Sequence, residues 1–304
     1  MTGLIIKTTG SDYLVRSAGG DKVCKIKGTF RIKGIKSTNP LAVGDIVDFD
    51  GDAGHITALH PRRNWMVRKP TNLSKQQHVI AANIDQMLLI VTIAQPVTAL
   101  EFIDRQLATA EAYRVPVILV FNKIDLLDDD ALRYLDAVEY LYQSIGYRTI
   151  RISAIEGADA DHLRSVLDGK ITLLSGNSGV GKSTIVNLLL PDATARVGEI
   201  SETHHTGMHT TTFSEMYQLA GSDGYIIDTP GIKSFGTFDM QPDEVSHFFP
   251  EIFAESANCR FANCTHTHEP GCSVLAAVSD HRISQSRYQS YLSIRGDMEE
   301  SKYR

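Results

Sequence analysis

Hydrophobic and polar residues alternate in short stretches over the first part of the chain, with the spacing of β-strands. Five apolar stretches lie between Leu4 and Leu59, and Gly, Asp and Asn-Pro turn residues separate them. Short strands without a helical period predict a small antiparallel β-barrel over residues 1–68. We favour an OB-like barrel, and an SH3-like barrel is the alternative.

Near residue 79 the pattern changes to continuous apolar runs separated by stretches of helical period. Runs of this kind are typical of strands buried on both faces of a parallel sheet. The runs begin at Met87, Val117, Thr149 and Ile171, and the helical stretches lie near residues 100–113, 129–145 and 160–168. The alternation predicts a doubly wound α/β domain over residues 69–240, with ligands bound beyond the carboxyl ends of the strands.

Charge is distributed unevenly along the chain, although the net charge is only -6. The first 75 residues hold 13 Lys and Arg against 6 Asp and no Glu. A basic module on an acidic body fits a polyanionic partner, and a solvated basic surface is the alternative.

The longest apolar run, residues 87–94, is too short to span a bilayer, and the N-terminus lacks signal-peptide order. We therefore expect a cytoplasmic protein without a membrane partner.

Residues 176–183 carry a P-loop pattern between a predicted strand and a predicted helix. Glycines in such a loop let backbone N–H groups turn towards phosphates, and the helix N-terminus adds its positive end. Lys182 is placed to reach the β- and γ-phosphates, and the Ser183 hydroxyl to bind Mg²⁺. The predicted phosphate-binding residues are Gly176, Asn177, Ser178, Gly179, Val180, Gly181, Lys182, Ser183 and Thr184.

Residues 122–125 read Asn-Lys-Ile-Asp directly after a predicted buried strand. The carboxylate of Asp125 can accept from both N1–H and the 2-amino group of guanine, and adenine lacks both donors at that edge. The stem of Lys123 can lie over the base plane, and Asn122 can tie this loop to the P-loop. Together with Ile124, these residues predict a guanine-reading segment, which makes an ATPase a weak option.

Two further short motifs complete a guanine-nucleotide site. Ser153 and Ala154 end the next predicted strand, where they can offer a backbone N–H to guanine O6. Asp228 ends another predicted strand and opens Asp-Thr-Pro-Gly. A carboxylate there can hold Mg²⁺ through water, and the N–H of Gly231 can sense the γ-phosphate.

The order of these motifs is rotated. In Ras-like GTPases the P-loop comes first and the guanine-reading motifs last, whereas here residues 122–125 and 153–154 precede residues 176–183. All the pieces are retained, so the sequence predicts a circularly permuted P-loop GTPase domain. The segment after Gly231 then leads out of the domain, towards a C-terminal module at residues 241–304.

In this order the chain resembles the ribosome-small-subunit-dependent GTPase A family over nearly its whole length. Residues 207–212 read Gly-Met-His-Thr-Thr-Thr, similar to the Gly-x-His-Thr-Thr core of that family's switch I. The resemblance implies GTP and GDP as ligands, with Thr211 on Mg²⁺ in the GTP state and Thr210 as the alternative. It also implies late maturation of the small ribosomal subunit, with its 16S-type rRNA as partner and the protein as a monomer.

The usual catalytic glutamine is absent from the expected position. Ras-type enzymes place Gln after the Gly of Asp-x-x-Gly to orient the attacking water, and here Ile232 follows Gly231. The resemblance makes His209 the candidate for that task, together with Lys182 and Thr211 in the catalytic set. We expect slow intrinsic turnover and stimulation by a partner that orders switch I.

Three of the four cysteines cluster with histidine near the C-terminus, in the spacing Cys-x4-Cys-x-His-x5-Cys. Three thiolates and an imidazole are a usual structural zinc set. His268 is a competing imidazole, and the resemblance favours His266. We expect the metal to hold together a module poor in apolar residues, followed by a polar helix from about residue 280. The predicted ligands are Cys259, Cys264, His266 and Cys272.

Two other functions remain open from the sequence alone. One is a binding module that uses GTP only as a structural ligand, an option that Ile232 keeps alive. The other is a GTPase of membrane or signalling traffic, against which the basic barrel and the missing lipidation motifs count.

Overall fold

A computed structural model of the chain describes residues 1–9, 11–26, 40–68, 78–190, 215–228 and 240–302. Five strands form the N-terminal barrel. They are β1 Thr2–Thr8, β2 Asp12–Ser17, β3 Gly20–Ile26, β4 Ile46–Phe49 and β5 His55–Leu59. Each coincides with one of the predicted apolar stretches.

The barrel closes in the strand order β1-β2-β3-β5-β4 and back to β1. Neighbouring strands are antiparallel, except that β3 runs parallel to β5. A closed five-stranded barrel of this connectivity is OB-like, which agrees with the favoured prediction. Alternate residues point inwards, so that Val15, Cys24, Val47 and Ile56 share one fully buried core.

The α/β domain has six strands in the order β10-β9-β8-β11-β13-β12 within the described residues. All neighbours are parallel except the β12–β13 pair. The strands are β8 Gln86–Val91, β9 Val117–Phe121, β10 Arg148–Arg151, β11 Ile171–Ser175, β12 Glu215–Gln218 and β13 Tyr225–Asp228. The helices are α1 Leu100–Ala112, α2 Asp129–Ile145, α3 Ala160–Leu167 and α4 Lys182–Leu189.

Helices cover both faces of this sheet, because alternate residues of each strand point to opposite faces. In β8, Leu89 packs in one cluster with α1 and α2, and Ile90 in a second cluster with α3 and α4. The chain runs outwards from β8 to β10 and then returns to β11 on the other side of β8. The crevice between the carboxyl ends of β8 and β11 is therefore the topological switch point, where ligands bind in such sheets.

The barrel and the α/β domain share one continuous sheet. Strand β1 pairs antiparallel with β12, with Lys7 opposite Glu215, and the two side chains form an ion pair at 2.9 Å. Arg16 of β2 adds a hydrogen bond of 2.7 Å to Gln218 and lies over the ring of Tyr225.

A separate hairpin lies between the two domains. Strand β6, Trp65–Arg68, pairs antiparallel with β7, His78–Ala82. The sequence pattern placed residues 65–68 in the N-terminal module, but their partner comes from the following segment. Periodicity identifies a strand and does not identify its partner, which explains why the pattern missed this hairpin.

The C-terminal module has an apolar core that includes Ala108 of α1, so the module shares part of its core with the α/β domain. A 3₁₀ helix at Pro242–Phe248 precedes helices α5 Pro250–Ser256, α6 Ser273–Ser279 and α7 Gln285–Lys302. Aromatic residues supply much of the core, including Phe249 and Tyr291, which meet edge to face. The polar helix was predicted from about residue 280, and only its start is displaced.

Buried charges join this module to the α/β domain. Arg287 of α7, 1% exposed, donates to both carboxylate oxygens of Glu251 and to Asp104 of α1 at 2.8 Å. Tyr142 of α2 donates to the same Asp104 oxygen at 2.8 Å. Burial raises the pKa of Asp104, and the Arg287 guanidinium opposes this shift.

Within the described part of the chain, no helix is both long enough and apolar enough to cross a bilayer.

Candidate guanine-nucleotide site and metal centre

The P-loop connects β11 to α4 at the switch point, and two of its glycines combine a positive φ with a close contact. Gly176 has φ of +144° and Gly181 has φ of +97°, a region that other residues rarely adopt. A Cβ atom at Gly176 would lie 2.3 Å from the carbonyl oxygen of Ile90. A Cβ at Gly181 would lie 2.3 Å from Nδ2 of Asn122. Both positions are thus closed to larger residues by conformation and by contact.

The side chain of Lys182 lies inside the loop. Its Nζ donates to the carbonyl oxygens of Gly176 at 2.7 Å and Asn177 at 2.6 Å. Its ammonium group therefore lies inside the curve of the loop, where a phosphate would need it. Ser183 and Thr184 are exposed in the first turn of α4, and their hydroxyls are accessible to a ligand.

Asn122 forms a bridge between the P-loop and the loop after β10. Its Nδ2 donates to the carbonyl oxygen of Val180 at 2.8 Å, and its Oδ1 accepts from the N–H of Ala154 at 3.1 Å. The predicted contact with the P-loop is present, and the second bond was not foreseen. Asn122 and Val180 are both buried, so these bonds are shielded from water.

Asp125 is exposed at the mouth of the crevice, where a purine could reach it. One carboxylate oxygen accepts from the hydroxyl of the buried Ser153 at 2.6 Å, which leaves the other oxygen available. Lys123 has a left-handed backbone with φ of +66°, and its Nζ donates to the carbonyl oxygen of Gln95 at 2.5 Å.

The backbone N–H groups predicted to meet guanine O6 are both engaged. Ser153 N–H donates to Asp159 at 3.1 Å, and Ala154 N–H donates to Asn122. The N–H of Ile155 has no acceptor among the described residues and stands next in the same turn. The sequence did not predict a role for Asp159 in the site, because an acidic residue just before a helix usually caps that helix. In the structure its side chain makes no capping bond to α3.

The remaining nucleotide-site predictions reach the edge of the described residues or lie beyond it. Asp228 ends β13, opposite Glu215 in β12, at the same carboxyl edge of the sheet as the P-loop. Residues 207–212, which contain His209, Thr210 and Thr211, lie outside the described residues, as do Gly231 and Ile232.

Cys259, Cys264, His266 and Cys272 form a compact cluster whose ligand atoms all lie within 4.8 Å of one another. Two sulfurs, of Cys259 and Cys272, are 3.9 Å apart, and His266 Nδ1 is 3.6 and 3.5 Å from them. A tetrahedral zinc with ordinary bond lengths separates two sulfurs by about 3.8 Å and sulfur from nitrogen by about 3.6 Å. These three ligand atoms therefore have the spacing of a tetrahedral zinc site, and the Cys264 sulfur lies within 4.8 Å of each of them.

The two candidate imidazoles lie in different environments. His266 is 2% exposed, and its backbone carbonyl accepts from the hydroxyl of Tyr288 at 2.7 Å. His268 is exposed, and its Nδ1 is 2.8 Å from the hydroxyl of Thr267, outside the cluster.

Burial raises the pKa of the Cys264 thiol to about 12, so a bound cation is needed to make this sulfur a thiolate.

Comparisons with known proteins agree with this architecture. A family model described as RsgA GTPase matches residues 59–238, and one described as RsgA N-terminal domain matches residues 2–56. A protein of Bacteroides thetaiotaomicron named small ribosomal subunit biogenesis GTPase RsgA 2 is 57% identical, over 100% of this chain and 99% of its own. A Porphyromonas gingivalis protein named small ribosomal subunit biogenesis GTPase RsgA is 54% identical over the same shares.

Solved structures show the same fold. YjeQ from Thermotoga maritima matches with a TM-score of 0.78 and 30% identity, over 98% of each chain. YloQ, described as a circularly permuted GTPase, matches with a TM-score of 0.74 and 28% identity, over 99% of this chain and 95% of its own. With its rotated motif order and its guanine-type site at the switch point, the chain belongs to the RsgA GTPase family and is a circularly permuted GTP hydrolase.

Proposed function

We propose that the crevice between β8 and β11 binds GTP and GDP with Mg²⁺, using the residues predicted from the sequence. The P-loop residues 176–184 hold the phosphates, with Lys182 on the β- and γ-phosphates. Asn122, Lys123, Ile124 and Asp125 receive the guanine, with Ser153 and Ala154 behind it. Ser183, Thr211 and Asp228 are the proposed magnesium ligands, and Gly231 is the proposed γ-phosphate sensor.

The observation that carries this proposal is the Asn122 bridge. Its two hydrogen bonds hold the P-loop and the guanine-reading loops in one unit at the switch point. A preformed crevice of this kind needs little reorganisation to receive a nucleotide, which favours binding.

We further propose that the small ribosomal subunit stimulates hydrolysis and that the protein acts in late maturation of this subunit. The names of the full-length relatives and the basic N-terminal barrel support this assignment. The barrel, residues 1–68, and the zinc module, residues 241–304, would contact 16S-type rRNA, and hydrolysis in residues 69–240 would release the monomeric protein. All of these steps take place in the cytoplasm.

His209 is the proposed group that positions the attacking water, since Ile232 has no polar atom in its side chain. The test measures GTP turnover with and without purified small subunits, for the native protein and for His209→Ala. We expect strong stimulation by subunits and its loss in the variant. Absence of stimulation would refute the ribosomal assignment, and undiminished stimulated turnover in the variant would remove His209 from the mechanism.

Asp125 provides a separate test of the base. An Asn side chain at this position offers an N–H in place of a carboxylate oxygen, so Asp125→Asn should prefer xanthine, which carries a carbonyl at C2. We expect the variant to lose GTP affinity and to gain XTP affinity. If the variant keeps the native preference for GTP over XTP, the assigned role is contradicted.

We propose one structural Zn²⁺ in the Cys₃His cluster. Four protein ligands complete a tetrahedral shell, so the metal would stabilise the module and would have no open position for catalysis.

A further inference from the structure

The loop from residue 92 to residue 98 connects β8 to α1 beside the switch point, and none of the nucleotide-binding motifs includes it. It contacts two of those motifs. The carbonyl oxygen of Gln95 accepts from Nζ of Lys123 at 2.5 Å. A Cβ atom at Gly179 in the P-loop would lie 3.4 Å from Cδ of Pro96, so the two segments are in contact.

Two buried threonines fix the shape of this 92–98 loop. The N–H of Thr92 donates to Oγ1 of Thr98 at 3.0 Å, and the N–H of Thr98 donates to the carbonyl oxygen of Thr92 at 2.9 Å. The Thr92 hydroxyl donates to the carbonyl oxygen of Pro96 at 2.5 Å. Removal of the Thr98 hydroxyl would leave the buried N–H of Thr92 without its acceptor.

The loop presents a fixed acceptor to a side chain that is otherwise long and flexible. A lysine loses much rotamer freedom when its stem is ordered, and a preformed anchor for its ammonium lowers that cost at the moment of binding. Lys123 belongs to the guanine-reading loop after β9, and its anchor at Gln95 belongs to the neighbouring loop after β8. A stem held between these two points is available to lie along the face of a bound purine.

We propose that Thr98 is a positioning residue for nucleotide binding. Its hydroxyl shapes the 92–98 loop so that the Gln95 carbonyl anchors Lys123 along the face of the base. The inference rests on the proposed guanine site. It adds a residue that contributes to nucleotide affinity and does not contribute to the choice between bases. Thr98 therefore affects GDP and IDP equally, since these ligands differ only in the 2-amino group that faces Asp125.

The experiment measures dissociation constants of GDP and IDP by calorimetry for the full-length protein. The variants are Thr98→Val, Thr98→Ser, Lys123→Met and the double variant Thr98→Val with Lys123→Met. Thr109→Val is the matched control, because Thr109 is a buried threonine of α1 whose hydroxyl donates to the Arg105 carbonyl, away from the loop.

We expect Thr98→Val to weaken both ligands about tenfold, the effect of one lost hydrogen bond to a charged group and its supporting bonds. Thr98→Ser and Thr109→Val should stay within about twofold of native affinity. In the Lys123→Met background, Thr98→Val should have no additional effect.

Native affinity in Thr98→Val, or an equal loss in the Lys123→Met background, would overturn the inference. A loss confined to GDP would also overturn it, because the loop would then act through Asp125. If the native protein binds neither GDP nor IDP, the guanine site itself is refuted. Thermal unfolding of Thr98→Val and Thr109→Val, measured in parallel, separates lost positioning from lost folding.

Discussion

The side-chain amide of Asn122 donates to the backbone carbonyl of Val180 at 2.8 Å, although 58 residues separate the two in the chain. The bond fixes the turn before α4 against the end of β9. The guanine-reading loop and the phosphate loop therefore keep their relative positions before any ligand arrives, even though the permutation has reversed their order along the chain.

Substitution of Asn122 should separate these loops. Asn122→Ala removes one donor and one acceptor and leaves the Val180 carbonyl and the Ala154 N–H unsatisfied, at a cost of about 1–3 kcal/mol each. We expect GDP affinity to fall by at least tenfold, measured by calorimetry. Asn187→Ala, at an exposed position of α4, is the control and should bind GDP as the native protein does. Equal affinity of both variants would show that the bridge does not shape the site.

Gly181 should tolerate no side chain, because its backbone conformation and its contact with Asn122 both exclude a Cβ atom. Gly181→Ala should abolish measurable nucleotide binding at micromolar protein concentration. Gly146→Ala introduces similar backbone strain, with φ of +111°, but no atom lies within 4 Å of its new Cβ. This control should lose about 1 kcal/mol of stability and keep its affinity for GDP. If both variants bind GDP alike, the close contact at Gly181 is unimportant.

Removal of one sulfur should empty the metal centre. Cys264→Ser is expected to lose the zinc that native protein retains after dialysis, because a serine hydroxyl is a poor zinc ligand. Cys24→Ser alters a cysteine buried in the barrel and should keep about one zinc per chain, measured by atomic absorption. Loss of metal should also lower the unfolding temperature of the C-terminal module in calorimetry. A zinc content that stays the same in Cys264→Ser would contradict the assigned ligand set.

Arg287 should be required for attachment of the C-terminal module. Arg287→Met leaves Glu251 and Asp104 without their shared cation in a buried position, which costs about 3–5 kcal/mol. Arg282→Met removes a half-exposed partner of Glu255 and should cost less than about 1 kcal/mol. Urea unfolding of both variants measures the difference. A loss in Arg287→Met no larger than in Arg282→Met would show that the pair contributes little.

The sequence was sufficient for the features that are encoded locally. Apolar periodicity located the strands of the barrel and of the α/β sheet, and the glycine spacing of residues 176–183 predicted the turn between β11 and α4. The short Cys/His spacing predicted the metal cluster, and the tie between Asn122 and the P-loop followed from the chemistry of a carboxamide near a backbone loop.

Features that depend on distant segments could not be predicted in this way. Arg287 belongs to a polar helix that looks solvated in sequence, but it is buried because α1 and α5 supply carboxylates around it. The anchor for Lys123 is the backbone carbonyl oxygen of Gln95, and every residue type has such an oxygen, so the residue type at position 95 does not predict the contact. The pairing of β6 with β7 and the bond from Ser153 to Asp159 likewise depend on which segments the tertiary fold brings together. Hydrophobic periodicity does not predict such contacts.

The pairing of β1 with β12 makes the barrel a lever on the nucleotide domain. Strand β13, the hairpin partner of β12, ends at Asp228, so any twist of this hairpin that accompanies events at the phosphates is passed to β1 through backbone hydrogen bonds and the Lys7–Glu215 ion pair. Seven extended residues such as those of β1 span about 23 Å. A rotation of β1 by about 10° about its pairing with β12 would therefore move the far end of that strand by about 4 Å, a displacement large enough to break one set of surface contacts and make another.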